Sequence, residues 1–192
     1  MRKDRIDEFD KIRREPGEVE VVGPAGVESY DHVVIATHSD QALSLLSDPD
    51  RAEQAILGSI GYQQNRATLH TDARLLPRNR RAWASWNYHR LEADTDQTTL
   101  TYNLNRLQGI RSPTPVLVTL NRDDAIDPER VLARMDYAHP VLDPAAVGAQ
   151  QRHAEINGAR RTWFCGAYWG YGFHEDGVAS AVSTCRALGA RL

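Results

Sequence analysis

Trp163-Phe164-Cys165-Gly166-Ala167-Tyr168-Trp169-Gly170-Tyr171-Gly172-Phe173-His174-Glu175-Asp176-Gly177-Val178-Ala179-Ser180-Ala181 sets the architecture of this chain. Its first residues are apolar and make a short strand. A loop rich in glycine and aromatic residues follows, then a helix of small residues. Four of the thirteen glycines fall within twelve positions, 166–177. That density lets backbone adopt positive φ and lets a ligand approach it closely. The helix opens on Glu175 and Asp176, and the first N–H groups of any helix lack intrahelical partners. Strand, glycine loop and exposed helix start describe a corner that cradles a cofactor better than a joint that only packs.

The remainder supplies an α/β chain of mixed, partly α+β character. Residues 1–17 are charged and end in Pro16-Gly17, a turn signal. Glu18–Val22 alternates as a half-exposed strand, and Gly23-Pro24-Ala25-Gly26 is a turn. The next strand is the β-branched run His32-Val33-Val34-Ile35-Ala36, which suits a buried position. Thr37-His38-Ser39-Asp40 ends it and caps a helix over about 40–46, and a second short helix follows Pro49. Period-two stretches at 67–71, 82–88 and 98–103, with a further strand at 116–120, imply an antiparallel sheet. Asp127-Pro128 opens a helix or turn. Helices are expected at 145–156 and 176–188, the latter with Val178, Ala181, Val182, Cys185 and Leu188 on one face.

Composition bounds the function. The chain has 192 residues and a formal net charge of −3, which suggests neither nucleic acid nor a strongly acidic partner. The basic cluster Arg78–Arg81 lacks the interleaved aromatics of single-strand binders and reads as a solvated loop. The only lysines are Lys3 and Lys11, so Schiff-base or P-loop chemistry is excluded beyond residue 11. Cys165 and Cys185 have no C-x-x-C spacing, and two free thiols fit a cytoplasmic protein. No stretch approaches 18 apolar residues, so no transmembrane helix is expected. No Gly-x-Ser-x-Gly elbow occurs.

Several residues admit two readings. His38 with Asp40 resembles an acid–base pair, yet both suit a helix cap. His174-Glu175-Asp176 places three metal-ligand types in a row, but neighbours at a helix start point apart, and acidic residues there answer the macrodipole. No metal site is expected. Tyr168, Trp169, Tyr171 and Phe173 either shield the glycine loop or line a cavity. Trp86 and Tyr88 share a strand face, with Trp83 opposite, and are expected in the core. Asn103 and Asn105 share another face and could orient a polar substrate group.

The pattern Gly-Ala-Tyr-x-Gly-Tyr-Gly-Phe-His-Glu-Asp-Gly at 166–177, with Tyr30–Leu43, Leu69–Asp72 and Trp83–Tyr88, resembles the FAD-dependent amine-oxidase-like oxidoreductases, in particular a bacterial branch of NAD/FAD-binding proteins. The resemblance implies FAD as cofactor. Ala36 and Thr37 would lie beside it, and Gly166, Glu175, Asp176, Gly177 and Val178 would contact it through backbone. It implies a small-molecule or lipid-like substrate near Tyr168, Tyr171 and Asn103, with the catalytic residues unassigned. It further implies a partial FAD-binding lobe, 1–40 with 156–192, and an antiparallel-sheet substrate lobe, 41–155. Any Cβ at Gly177 would then intrude on the flavin or strain the turn.

The family's Gly-x-Gly-x-x-Gly, which binds the pyrophosphate, is missing: Gly170-x-Gly172 is followed by Glu175 where the third glycine belongs. The family's flavin-side lysine is missing from the strands too. The sequence thus reads as the C-terminal part of a hydride-transferring flavoenzyme without its N-terminal FAD-binding segment. The competing reading is a non-catalytic fragment or interaction module that does not bind FAD by itself.

Overall fold

Strand β1 (Lys11–Glu15) begins the computed structural model, which describes residues 11–91 and 97–190. In chain order there follow β2 (Glu18–Gly23), β3 (Gly26–Tyr30), β4 (Val33–Ile35), α1 (Ser39–Leu45), α2 (Arg51–Leu57), β5 (Gly61–His70), β6 (Trp86–Tyr88), β7 (Leu100–Asn103), α3 (Leu104–Leu107), β8 (Leu117–Leu120), β9 (Val131–Val141), α4 (Pro144–Gln151), α5 (His153–Ile156), β10 (Thr162–Phe164) and α6 (His174–Ala187). The chain divides into two compact units, Met1–Tyr62 with Pro140–Leu192, and Gln63–His139. The expected boundaries at 40/41 and 155/156 therefore move. Ala42, Ile56, Leu57, Ala146, Ala149 and Ile156 join the same core as Ile35 and Phe164, so α1, α2, α4 and α5 stay with the first unit.

In the first unit β1-β2-β3 is an antiparallel meander and β10-β4 a parallel pair. The turn at 23–26 thus joins β2 to β3, not to the strand at 33–35 as its β-branched run suggests. β3 is exposed along its whole length, so it carries no hydrophobic signature to announce it. β4 pairs instead with β10, Val33 opposite Thr162 and Ile35 opposite Phe164. Arg14 on β1 reaches α2, donating to Asp48 Oδ1 (3.0 Å) and, with both terminal nitrogens, to Glu53. Glu53 also accepts from Asp50 N (2.8 Å), while Asp50 Oδ1 accepts from Glu53 N (2.8 Å), so the ion pair and the reciprocal helix cap share one carboxylate.

The second unit is built on the sheet β6-β7-β8-β5-β9, in which β6–β7, β7–β8 and β8–β5 pair antiparallel. β9 was not expected as a strand; Pro140 near its end suits its edge place. One sheet face is polar and buried: Thr68, Thr119, Thr101 and Asn87 lie opposite one another across four strands. Trp86 and Tyr88 were expected in the core but are 51% and 71% exposed, because Asn87 between them takes the buried face. Asn105 does not extend β7. The strand ends at Asn103, and Asn105 sits in α3, its amide closing Val116 N (2.7 Å) and Ile110 O (3.1 Å). Among the described residues, no helix is long and apolar enough to cross a membrane, and no three His, Cys, Asp or Glu side chains converge as a metal site.

Candidate functional site

β4 and β10 run parallel, so both leave their sheet at the same end, where ligands of open α/β sheets bind. Cys165 N donates to Ile35 O (3.1 Å), extending the pairing one residue further. Ala36-Thr37 and Gly166-Ala167 come next. Ser180 Oγ accepts from Gly166 N (3.1 Å) and ties the second of these loops to α6. A Cβ on Gly177 would stand 3.7 Å from Ala167 N, so the helix start also abuts this loop. The fold thus gathers Ala36, Thr37, Gly166, Glu175, Asp176, Gly177 and Val178 at one end of the parallel pair. Ala36, Thr37, Glu175 and Val178 are exposed there.

The glycine loop is held largely by its own side chains. Asp176 Oδ2 accepts from Tyr171 N (3.1 Å) and Phe173 N (2.9 Å). Gln150 Nε2 donates to the carbonyls of Tyr168 (2.9 Å) and Gly170 (2.7 Å). A Cβ at Gly170 would lie 2.6 Å from Asp176 Cγ, and one at Gly166 would lie 2.8 Å from Tyr168 Cδ1. Those two glycines answer to neighbours within the chain. Gly177 is different: it lies inside α6, and its added Cβ would find only ordinary contact with Ala167. Its N–H is spent on Phe173 O (3.3 Å). The N–H groups of Glu175 and Asp176 precede that bond, in the first turn where N–H groups have no intrahelical acceptor.

Tyr168 is buried beside Trp169, and burial pushes its phenol well above the ordinary range. Trp169 stacks on His153 (4.0 Å), whose Nε2 donates to Phe164 O (2.8 Å); burial lowers the His153 pKa and keeps the ring neutral. Tyr171 is 82% exposed. Asn103 belongs to the second unit and is buried, its Oδ1 accepting from Arg106 N (3.4 Å) as the cap of α3. His38 stacks on Tyr62 (4.5 Å) and stands 4.0 Å from Asp40, while Gln41 Oε1 accepts its N–H. The α6 face expected to be apolar is not the buried one. Ser180 and Thr184 face inward, because only small residues fit against the glycine loop.

Sequence reasoning missed an apolar cavity of about 420 Å³ along β4, bounded by Ile12, Val21, Tyr30, Val33, Ala36 and Thr37. The alternation of β1 and β2 was the available signal.

Solved structures match this architecture. A conjugated-linoleic-acid-producing fatty acid isomerase from P. acnes superposes with a TM-score of 0.65 at 15% identity, over 95% of this chain and 47% of its own. Putrescine oxidase with putrescine bound gives 0.64 at 10% identity, over 95% and 48%. Cyclohexylamine oxidase from Brevibacterium oxydans gives 0.56 at 12%, over 95% and 48%. The chain thus shares its fold with part of each of these enzymes. The chain spans about half the length of the solved structures it matches. No protein-family model matches it, and no curated protein does.

Proposed function

We propose that this chain supplies the flavin-contacting corner and the substrate-facing sheet of an FAD-dependent oxidoreductase that takes a hydride from a substrate carbon. The observation that carries the reading is the convergence of Ala36-Thr37, Gly166-Ala167 and the start of α6 at one end of the parallel pair. The residues fit one end of the cofactor. A Cβ at Gly177 would meet Ala167 alone, at ordinary contact distance, and the N–H groups of the first turn of α6 favour negative charge beside them. Bound FAD supplies the hydride acceptor. The backbone of Gly166 and of Asp176–Val178 would orient the ring, and Ala36 and Thr37 would border it. Nothing in the sequence fits the pyrophosphate, whose glycine fingerprint is missing.

The exposed aromatic rings of Tyr171 and Phe173 suit an apolar or lipid-like substrate, with Tyr168 the third aromatic candidate of the same loop. Asn103 is the candidate for a polar substrate contact in the second unit. Cys165 and Cys185 are free, which accords with a cytoplasmic setting.

The missing fingerprint favours a second reading, a fragment that retains no FAD by itself and has no activity alone. Amide spectra of the chain titrated with FAD separate the two. Weak, saturable shifts confined to 36–37, 166–168 and 174–178 support the flavin corner. No shift in millimolar FAD, or shifts centred elsewhere, would reject it and leave the fragment reading.

A further inference from the structure

The buried face of the second unit's sheet carries a hydrogen-bonded chain that ends in a pocket. His70 Nε2 meets Thr119 Oγ1 at 2.7 Å. Thr119 Oγ1 meets Thr101 Oγ1 at 2.7 Å, and Thr101 Oγ1 meets His89 Nε2 at 2.7 Å. Arg122 Nη1 faces His89 Nδ1 at 2.9 Å.

Hydrogens can be assigned from the two ends. Arginine only donates, so His89 Nδ1 accepts and the ring proton sits on Nε2. Asp72 N donates to His70 Nδ1 (3.1 Å), so His70 likewise carries its proton on Nε2. Both rings are neutral, in line with burial that lowers both pKa values, that of His70 to about 4. Two ring hydrogens and two hydroxyl hydrogens then compete for three contacts. One hydrogen is surplus in a buried place, and the hydroxyl of Thr68, opposite Thr119, makes no hydrogen bond among the described residues. An unmatched buried polar group is costly.

The surplus vanishes when Arg122 turns off His89. The ring can exchange its Nε2 proton for one on Nδ1 through solvent, with no net change of charge. Every contact then runs one way, from His70 Nε2–H through Thr119 and Thr101 to His89 Nε2. His89 Nδ1–H becomes a donor beside the arginine.

Both groups border a pocket of about 340 Å³. Arg74, on its wall, is already held by Asp72 (2.6 Å), whereas Arg122 makes no ion pair among the described residues. Leu75, Leu76, Pro77 and Ala125 form an apolar side of the same pocket. We propose that this pocket binds a carboxylate-headed small molecule with a short apolar chain. The head takes hydrogen bonds from Arg122 and His89 Nδ1–H, and the chain lies along the apolar side. Guanidinium–carboxylate bonds supply the orientation.

Calorimetric titration of the 192-residue chain with octanoate tests this, with octanol and inorganic phosphate as comparisons. The imidazole ¹⁵N spectrum is followed in parallel. Octanoate should saturate at least about tenfold more tightly than either comparison, from the loss of a charge-assisted contact or of apolar burial. Arg122→Gln should weaken it about tenfold, and Arg111→Gln, an exposed charge elsewhere, should not. His89 should move its proton to Nδ1 at saturation. Equal binding of octanol or phosphate, undiminished binding by Arg122→Gln, or a His89 proton that stays on Nε2 would each overturn the proposal.

Discussion

Replacing Gly177 by alanine separates what α6 needs from what a ligand needs. Within the chain the new methyl would sit 3.7 Å from Ala167 N and 3.8 Å from Ala167 Cβ, ordinary van der Waals distances. Gly177 is the fourth residue of a fourteen-residue helix and has no positive φ. Alanine in place of glycine in a helix interior is worth about 0.8–1.0 kcal/mol. The variant should therefore be more stable by about 1 kcal/mol, a rise in Tm of about 2–4 °C for a chain of this size. Gly148→Ala is the matched control. It lies in α4 with nothing within 4 Å of the added Cβ, so it should gain a similar amount. The two should part company on flavin. If the ring approaches Gly177, the added methyl abolishes the FAD-induced amide shifts at 166–168 and 174–178, and Gly148→Ala keeps them. Thermal unfolding by circular dichroism and the amide titration together read both quantities. A fall in Tm for Gly177→Ala would refute the packing argument, and undiminished shifts would refute the flavin corner.

Three further outcomes follow from buried groups. Glu53→Ala strands Arg14 without its buried partner and removes half of the α2 cap, so urea denaturation should report a loss of about 3–5 kcal/mol; a loss below about 1 kcal/mol would contradict a buried pair. His70 has a pKa depressed from 6.5 to about 4, so the unfolded chain takes up the proton first. Its contribution is complete above 6.5 and is lost as pH falls toward about 4, and only below the ordinary carboxylate value of 3.8 does Asp72, held low by its bonds from Arg74, lose its own. His70→Gln should flatten the dependence of Tm on pH between 6.5 and 4, and an unchanged slope there would count against a neutral buried ring. Thr184 is buried with an unpartnered hydroxyl, so Thr184→Val should raise stability by about 1 kcal/mol in the same thermal assay, whereas destabilisation would mean the hydroxyl is bonded after all.

The elements that sequence announced are those whose signal is local. The glycine loop before α6, the alternation of β2 and the short helix after Pro49 all lie within a few residues of what determines them. Partners far along the chain were not legible. β4 has the β-branched run of a buried strand, but nothing near it says that it pairs with β10 rather than with β3. Glu53 occupies a buried helix face because Arg14 meets it, 39 residues away. Trp86 and Tyr88 were misassigned because large aromatics favour interiors, while the smaller Asn87 satisfies Ala84 and Thr101 backbone from the covered side. At the candidate site, the sequence named the segments that converge. It did not reveal that Gly166 and Gly170 answer to Tyr168 and Asp176, since those clashes exist only once the loop has closed.

The parallel pair of the first unit also fixes an order of events during synthesis. Among the described residues β4 pairs with β10, and the Trp163 ring that reaches His32 beside β4 lies 131 residues later in the chain. At ordinary elongation rates that interval is on the order of ten seconds. Throughout it Val33–Ile35 lacks β10, while the second unit, Gln63–His139, is synthesised in between. The corner that gathers Ala36, Gly166 and Gly177 accordingly exists only once residue 177 has been made. A nascent chain stalled anywhere before residue 162 exposes β4 to chaperones and proteases.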